Sequence, residues 1–192
     1  MSISTVRLVP APLVDIESAA ATFISLGLTK HAAHIAEANQ ASAEEIWLTG
    51  DAETSVHWVN DELLDVSYIV VRGGNADSLA ENIRSELPMD GIPDLQARAI
   101  ADRDPDVLID TLYRTAVVAG SKYDPRAFAL LRWGLGDPDP LIRRVSLVAV
   151  SITGWERFIP ILDEISKQDI VSEVRDQAAR VRDGLKPGTE NL

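Results

Sequence analysis

The sequence predicts a two-part chain. Residues 1–92 read as a small acidic α+β unit, helices plus a three-stranded antiparallel meander. Residues 93–187 read as an all-α solenoid of about three helix pairs, and 188–192 as a disordered tail. Three observations lead there. Apolar spacing passes from helical to alternating and back within the first 92 residues. An Asp-led turn followed by an apolar helix then recurs every 33 or 32 residues. The charge divides at the same point: 14 acids against 4 bases in 1–92, a net of −10, and 16 against 14 in the rest, a net of −2.

In the first part, Leu13, Ile16, Ala20, Phe23 and Ile24 recur at helical spacing, with Pro12 in the first turn and Gly27 at the end. The run from Thr29, a plausible N-cap, to about Ala41 is alanine-rich and predicts a second helix. Ile46–Thr49, Ser55–Val59 and Val66–Arg72 are β-branched or aromatic runs broken by turn residues, and predict the meander. The third run is apolar on both alternating faces, as expected of a strand covered on both sides or of one in the middle of the sheet. Gly73-Gly74-Asn75 ends it. Ser78 and Glu81 then have capping-box spacing for a helix to Leu87, which Pro88 stops.

In the second part, Asp104-Pro105-Asp106-Val107-Leu108-Ile109 aligns with Asp137-Pro138-Asp139-Pro140-Leu141-Ile142 at an offset of 33. Asp169, Val174 and Arg175 continue the pattern 32 residues beyond Asp137, Ile142 and Arg143. Apolar stretches precede each turn: Leu95–Ala101, Ala127–Leu135 and Phe158–Ile165. Each period therefore holds two helices, which bury their apolar faces against the neighbouring pairs.

These residues resemble HEAT-type repeats, particularly the short bacterial kind, over about 93–185. The likeness is carried by Asp137-Pro138, by Arg143-Arg144 and Gly154, and by Val174-Arg175 followed by Ala178-Ala179. The first copy departs from it with Asp110 at the Arg position, the third with Ile170 at the turn proline. The resemblance implies stacked antiparallel helix pairs whose second helices line an inner, often binding, surface. It also implies that Arg143 and Arg175 bond a turn Asp of a neighbouring repeat, making Asp137, Pro138, Arg143 and Arg175 structural positions. The amino-terminal unit is expected to cap the first repeat.

Composition narrows the function. The chain has no cysteine, which excludes disulfides and thiolate-held zinc. A net charge of −12 opposes general binding to nucleic acid or anionic membrane. No apolar run has the length of a membrane span, and Pro10, Pro12, Asp15 and Glu17 spoil a secretory signal, so a cytoplasmic address is expected. Arg outnumbers Lys by 14 to 4, a bias expected of a GC-rich bacterial genome.

Candidate chemistry is sparse. His31, His34 and Glu37 would share a face if 29–41 were helical, but no further ligand motif supports a metal, and no cofactor is expected. Val71-Arg72-Gly73-Gly74-Asn75 lacks phosphate-loop spacing and is followed by Asp77, so a plain turn is expected. Asp102, Asp104, Asp106, Asp137 and Asp139 read as turn and cap residues. The function expected is a non-enzymatic protein-interaction scaffold, an adaptor or an inhibitor of the immunity type, with a protein partner. A basic partner would suit the overall charge. Arg114, Arg144, Asp110, Asp176 and Trp133 are the expected protein-binding residues, because Arg and Trp concentrate at interface hot spots. The alternative is a HEAT-like alkylpurine DNA glycosylase, with Trp133, Trp155 and a nearby Asp on a basic face; the charge of −12 weighs against it.

Overall fold

The computed structural model describes residues 4–34 and 42–186. The chain divides into two compact units, Met1–Gly91 and Ile92–Leu192. The predicted tail at 188–192 lies outside the described residues.

The first unit runs β1 (Ser4–Leu8), α1 (Ile16–Ser25), β2 (Thr29–His34), β3 (Ser42–Leu48), β4 (Thr54–Asp61), β5 (Val66–Gly73) and α2 (Ala76–Glu86). The five strands form one antiparallel sheet in the order β1-β5-β4-β3-β2. Cross-strand pairing aligns Val6, Val71, Val56 and Trp47 in one row, and Leu8, Ile69 and Trp58 in the next. These side chains pack with Ala19 and Phe23 of α1 and Leu79, Ala80 and Ile83 of α2. Phe23 meets Trp47 edge-on at 5.5 Å between ring centres. Such aromatic contacts add to the burial that holds a two-layer unit together.

The meander expected from three runs is therefore the centre of a five-stranded sheet. Its third run, β5, lies between β1 and β4, the interior place expected of it. The helix expected over 29–41 is corrected: Thr29–His34 is strand β2, antiparallel to β3, and 35–41 lie outside the described residues. Alanine favours helix, but pairing with β3 overrides a propensity worth only tenths of a kcal/mol per residue. As an edge strand, mostly exposed, β2 also lacks the apolar alternation that identifies a strand. The short strand β1 was not foreseen.

Two helix starts are also corrected. Asp15 caps α1, its carboxylate accepting from the Ser18 amide at 2.8 Å, so Pro12 and Leu13 precede the helix. Helix α2 begins at Ala76 after Asn75, with no side-chain cap, so Ser78 and Glu81 form no capping box. Gly73 sits at φ +139, and a Cβ there would run into the Glu53 carbonyl and Thr54. That close approach of backbone to backbone accounts for the glycine turn without an anion.

The second unit consists of α3 (Ile92–Ala101), α4 (Pro105–Ala119), α5 (Pro125–Leu135), α6 (Pro140–Thr153), α7 (Ile159–Gln168) and α8 (Ser172–Leu185), with a single 3-10 turn at Glu156–Phe158. Each of α4, α5 and α6 opens with proline after an Asp cap: Asp104, Asp124 and Asp139 accept from amides in the first turn. Proline loses no hydrogen bond there, since a first-turn amide has no helical partner. The pairs α3–α4, α5–α6 and α7–α8 stack so that the second helices α4, α6 and α8 lie side by side. Leu112, Leu131, Ile142, Leu147, Phe158 and Leu162 are fully enclosed between them. Gly134 lets α5 approach α6: a Cβ would overlap the Ser146 hydroxyl and sit 3.0 Å from Leu112.

Candidate functional site

The repeat turns carry most of the organised charge. Arg143, at the start of α6, forks across two repeats. Its Nε and Nη2 each donate to the Asp169 carboxylate at 2.8 Å, while Nη1 donates to the Asp137 and Pro138 carbonyls at 2.9 and 3.0 Å. Both side chains of the pair are buried. A guanidinium suits this place because its planar fork serves two oxygens of a carboxylate and two carbonyls at once. Burial alone would raise the pKa of Asp169. The Arg143 hydrogen bonds, the Val171 amide and the charges of Arg143 and Arg175 outweigh it and hold the carboxyl below its ordinary value. Arg175 repeats half of the arrangement, donating to its own turn carbonyl at Asp169, 2.6 Å away. The expected link from an Arg to a neighbouring repeat's turn Asp is thus made by Arg143.

The first repeat has Asp110 at the corresponding place, so Asp137 must find its cation elsewhere. It is Arg103, from the turn between α3 and α4, with Nη2 at 3.2 Å from Asp137 Oδ2. Arg103 also lies over the Trp133 ring, 4.3 Å from its centre.

The five expected binding residues separate into two kinds. Asp110 receives Arg114 Nε at 2.6 Å and Arg98 Nη1 at 3.3 Å. Arg114 is only 7% exposed. That pair is corrected from surface to structure: its charges are spent within the repeat, and Arg114 offers almost no area to a partner. Arg144 and Asp176, by contrast, are exposed at equivalent positions of α6 and α8. Arg144 reaches the next repeat through Gln177, whose amide nitrogen donates to the Arg144 carbonyl at 3.0 Å. Leu141, one turn before Arg144, is 48% exposed although α6 reads as apolar nearly all round.

Trp133 is partly exposed on α5. Trp155 is not beside it. It is buried, donates its indole N–H to the Ser121 carbonyl at 3.1 Å, and stacks near Phe158 and Tyr123 at the other end of α5. The two tryptophans therefore do not line one face. Sequence reasoning missed Ile100 and Arg103, which with Trp133 line a groove of about 440 Å³ between α3 and α5. A signal was present: Ile100 falls off the stripe of Ile92, Leu95 and Ala99 that α3 buries.

In the first unit, His31 and His34 lie on strand β2, where a helical face no longer unites them, and Glu37 lies outside the described residues. His31 falls at an irregularity in the pairing with β3. His57 is bonded through Nδ1 to Glu44 at 2.7 Å and through Nε2 to Ser55 at 2.9 Å. Among the described residues no group of three or more acidic or imidazole ligands is arranged to hold a metal ion. No helix among them is long and apolar enough to cross a membrane.

No curated protein and no solved structure matches the chain. A family model does: residues 92–181, the six-helix segment built on the Asp-Pro turns and the Arg143–Asp169 link, match the model for HEAT repeats.

Proposed function

We propose that this protein is a cytoplasmic, non-enzymatic interaction scaffold, an adaptor or inhibitor that binds a partner protein through its repeat surface. HEAT repeats are generally protein-interaction scaffolds. The observation that carries the reading is the exposed stripe on the second helices. Leu141 and Arg144 on α6 and Asp176 on α8 remain at the surface, Arg144 with its Nε on Gln177 Oε1 at 3.3 Å, while Arg143 and Arg114 are consumed in buried turns and links. An exposed leucine beside an arginine and an acid combines apolar area with charge recognition, as interface cores and rims do. A basic partner also remains part of the proposal, since electrostatic attraction to a chain of net charge −12 accelerates encounter.

Affinity capture from the native host, with the full chain as bait, tests the reading. A stoichiometric protein partner is expected. Arg144→Glu combined with Asp176→Arg is expected to weaken its binding at least tenfold while the denaturation midpoint stays unchanged. Failure to recover any such partner, or undiminished binding by the double variant, counts against the assignment.

A further inference from the structure

We propose that the groove between α3 and α5 is a second docking site, and that its occupant is an acidic amphipathic helix of a partner protein. The inference rests on the reading of the repeats as a binding module and adds a different surface to it.

Ile100 and Trp133 stand 33 residues apart, at equivalent positions of consecutive first helices. Both line the groove, and they are 82% and 37% exposed. Ala99, Ala129 and Leu130 complete an apolar floor. The groove exists because α3 and α5 touch over a short stretch only, whereas α4 and α6 pack along their length. Side chains of a third helix fill such a channel at i, i+3 and i+4 spacing.

Charge selects the occupant. Arg103 is the charged residue of the lining, more than half exposed, with one nitrogen on Asp137 and its plane over Trp133. Arg126 and Arg132 stand exposed on α5. Three of the acids nearby accept from backbone: Asp102 from the Asp104 amide, Asp104 from the Asp106 amide, and Asp124 from the Arg126 and Ala127 amides as well as from the Arg126 guanidinium. Arg103 and Arg132 thus present guanidinium groups at the surface, while Arg126 is paired with Asp124 at 3.4 Å. An arginine already flattened on an indole keeps donors free for a carboxylate and loses little freedom on binding one. The indole N–H of Trp133 makes no hydrogen bond among the described residues and is a further donor.

The test pans a phage-displayed library of random 16-residue peptides against the full chain and, in parallel, against full-chain Ile100→Glu and Arg103→Glu. Both residues are exposed, and unchanged circular dichroism with a cooperative denaturation transition establishes that the variants fold, a lower midpoint being expected only of Arg103→Glu, which loses the Asp137 contact. The expected winners carry Leu, Ile or Phe at i, i+3 and i+4 with Asp or Glu between. As synthetic peptides they shift the tryptophan emission, since Trp133 is more exposed than Trp47, Trp58 and Trp155. They lose at least tenfold in affinity on either variant, and equally when their acids are replaced by Lys. Basic or unpatterned winners, no winners, or winners that bind Ile100→Glu undiminished overturn the proposal. So does self-association of the wild-type chain that Ile100→Glu abolishes, which would make the occupant a second copy. Winners lost on Arg144→Glu but kept on Ile100→Glu would sink the groove alone and leave the second-helix surface standing. A groove that binds while native capture returns no partner would sink the other reading instead.

Discussion

The two junctions of the repeat stack solve one problem differently. Between the second and third repeats, buried Arg143 reaches a buried Asp169 with two hydrogen bonds and ties in two carbonyls of its own turn. Between the first and second, Asp110 occupies the arginine's place, and half-exposed Arg103 meets Asp137 with one contact. The first solution is a lock inside the protein. The second joins a buried Asp137 carboxylate to an arginine that is more than half exposed, where water and salt screen the pair, and it leaves that arginine beside an exposed tryptophan. Relaxing a structural link at one junction leaves the Arg103–Trp133 pair at the surface, where the proposed groove would use it.

The largest expected effect breaks the inner lock. Arg143→Ala leaves Asp169 buried without its cation, and removal of one partner from a buried pair costs about 3–5 kcal/mol. Urea denaturation of the full chain measures it; a loss below about 1 kcal/mol would equate the two junctions.

Acid titration sharpens the same contrast. The folded pKa of Asp169 lies below its ordinary value, so its contribution is present above the unfolded pKa of about 3.9. As pH falls below that point the unfolded chain takes up the proton first, and the stabilisation disappears as pH passes through the lower folded pKa. Asp124, Asp163 and Asp183 are shifted downward as well, so the whole second unit loses stability in that window. Asp169→Asn is expected to flatten the dependence of denaturation midpoint on pH there, while above pH 5 its stability is lower than wild type. A slope unchanged from wild type would remove Asp169 from the account.

Helix caps are the control, since both repeats have them. Asp104→Ala and Asp139→Ala each lose an amide acceptor, at 2.9 and 2.8 Å respectively, and each is expected to cost about 1 kcal/mol. Equal costs would place the difference between junctions in the Arg links; a much larger cost for Asp139 would place it in the turns. Smallest of all is Arg103→Ala, expected to cost less than about 1 kcal/mol: its side chain is more than half exposed and gives the buried Asp137 one contact, while Asp137 keeps the Asp139 amide at 2.9 Å.

How much the sequence revealed follows the same division. The repeats were legible because their signals are local. Asp caps, first-turn prolines and the 33-residue period each act within one turn or one neighbouring pair, and the resemblance to HEAT repeats implied a turn Asp for Arg143. The sheet was legible only at its centre, where β4 and β5 are apolar and β-branched. Its edges escaped because β1 is short and β2 is alanine-rich, and both become strands through pairing with residues far along the chain. The candidate site was half legible. Arg144, Asp176 and Trp133 are exposed as an interface requires, but Arg114 is claimed by Asp110 four residues earlier on the same helix, and the groove at Ile100 depends on how α3 and α5 separate. Residue types alone carry neither fact.

The most direct measurement of the central claim is a hydrogen–deuterium exchange footprint of the full chain with and without the captured partner. The repeats are predicted to be the contact, so protection should appear in residues 140–153 and 172–185, the spans of α6 and α8. Protection confined to residues 4–73, with exchange in the repeats unchanged, would contradict it and assign binding to the sheet unit.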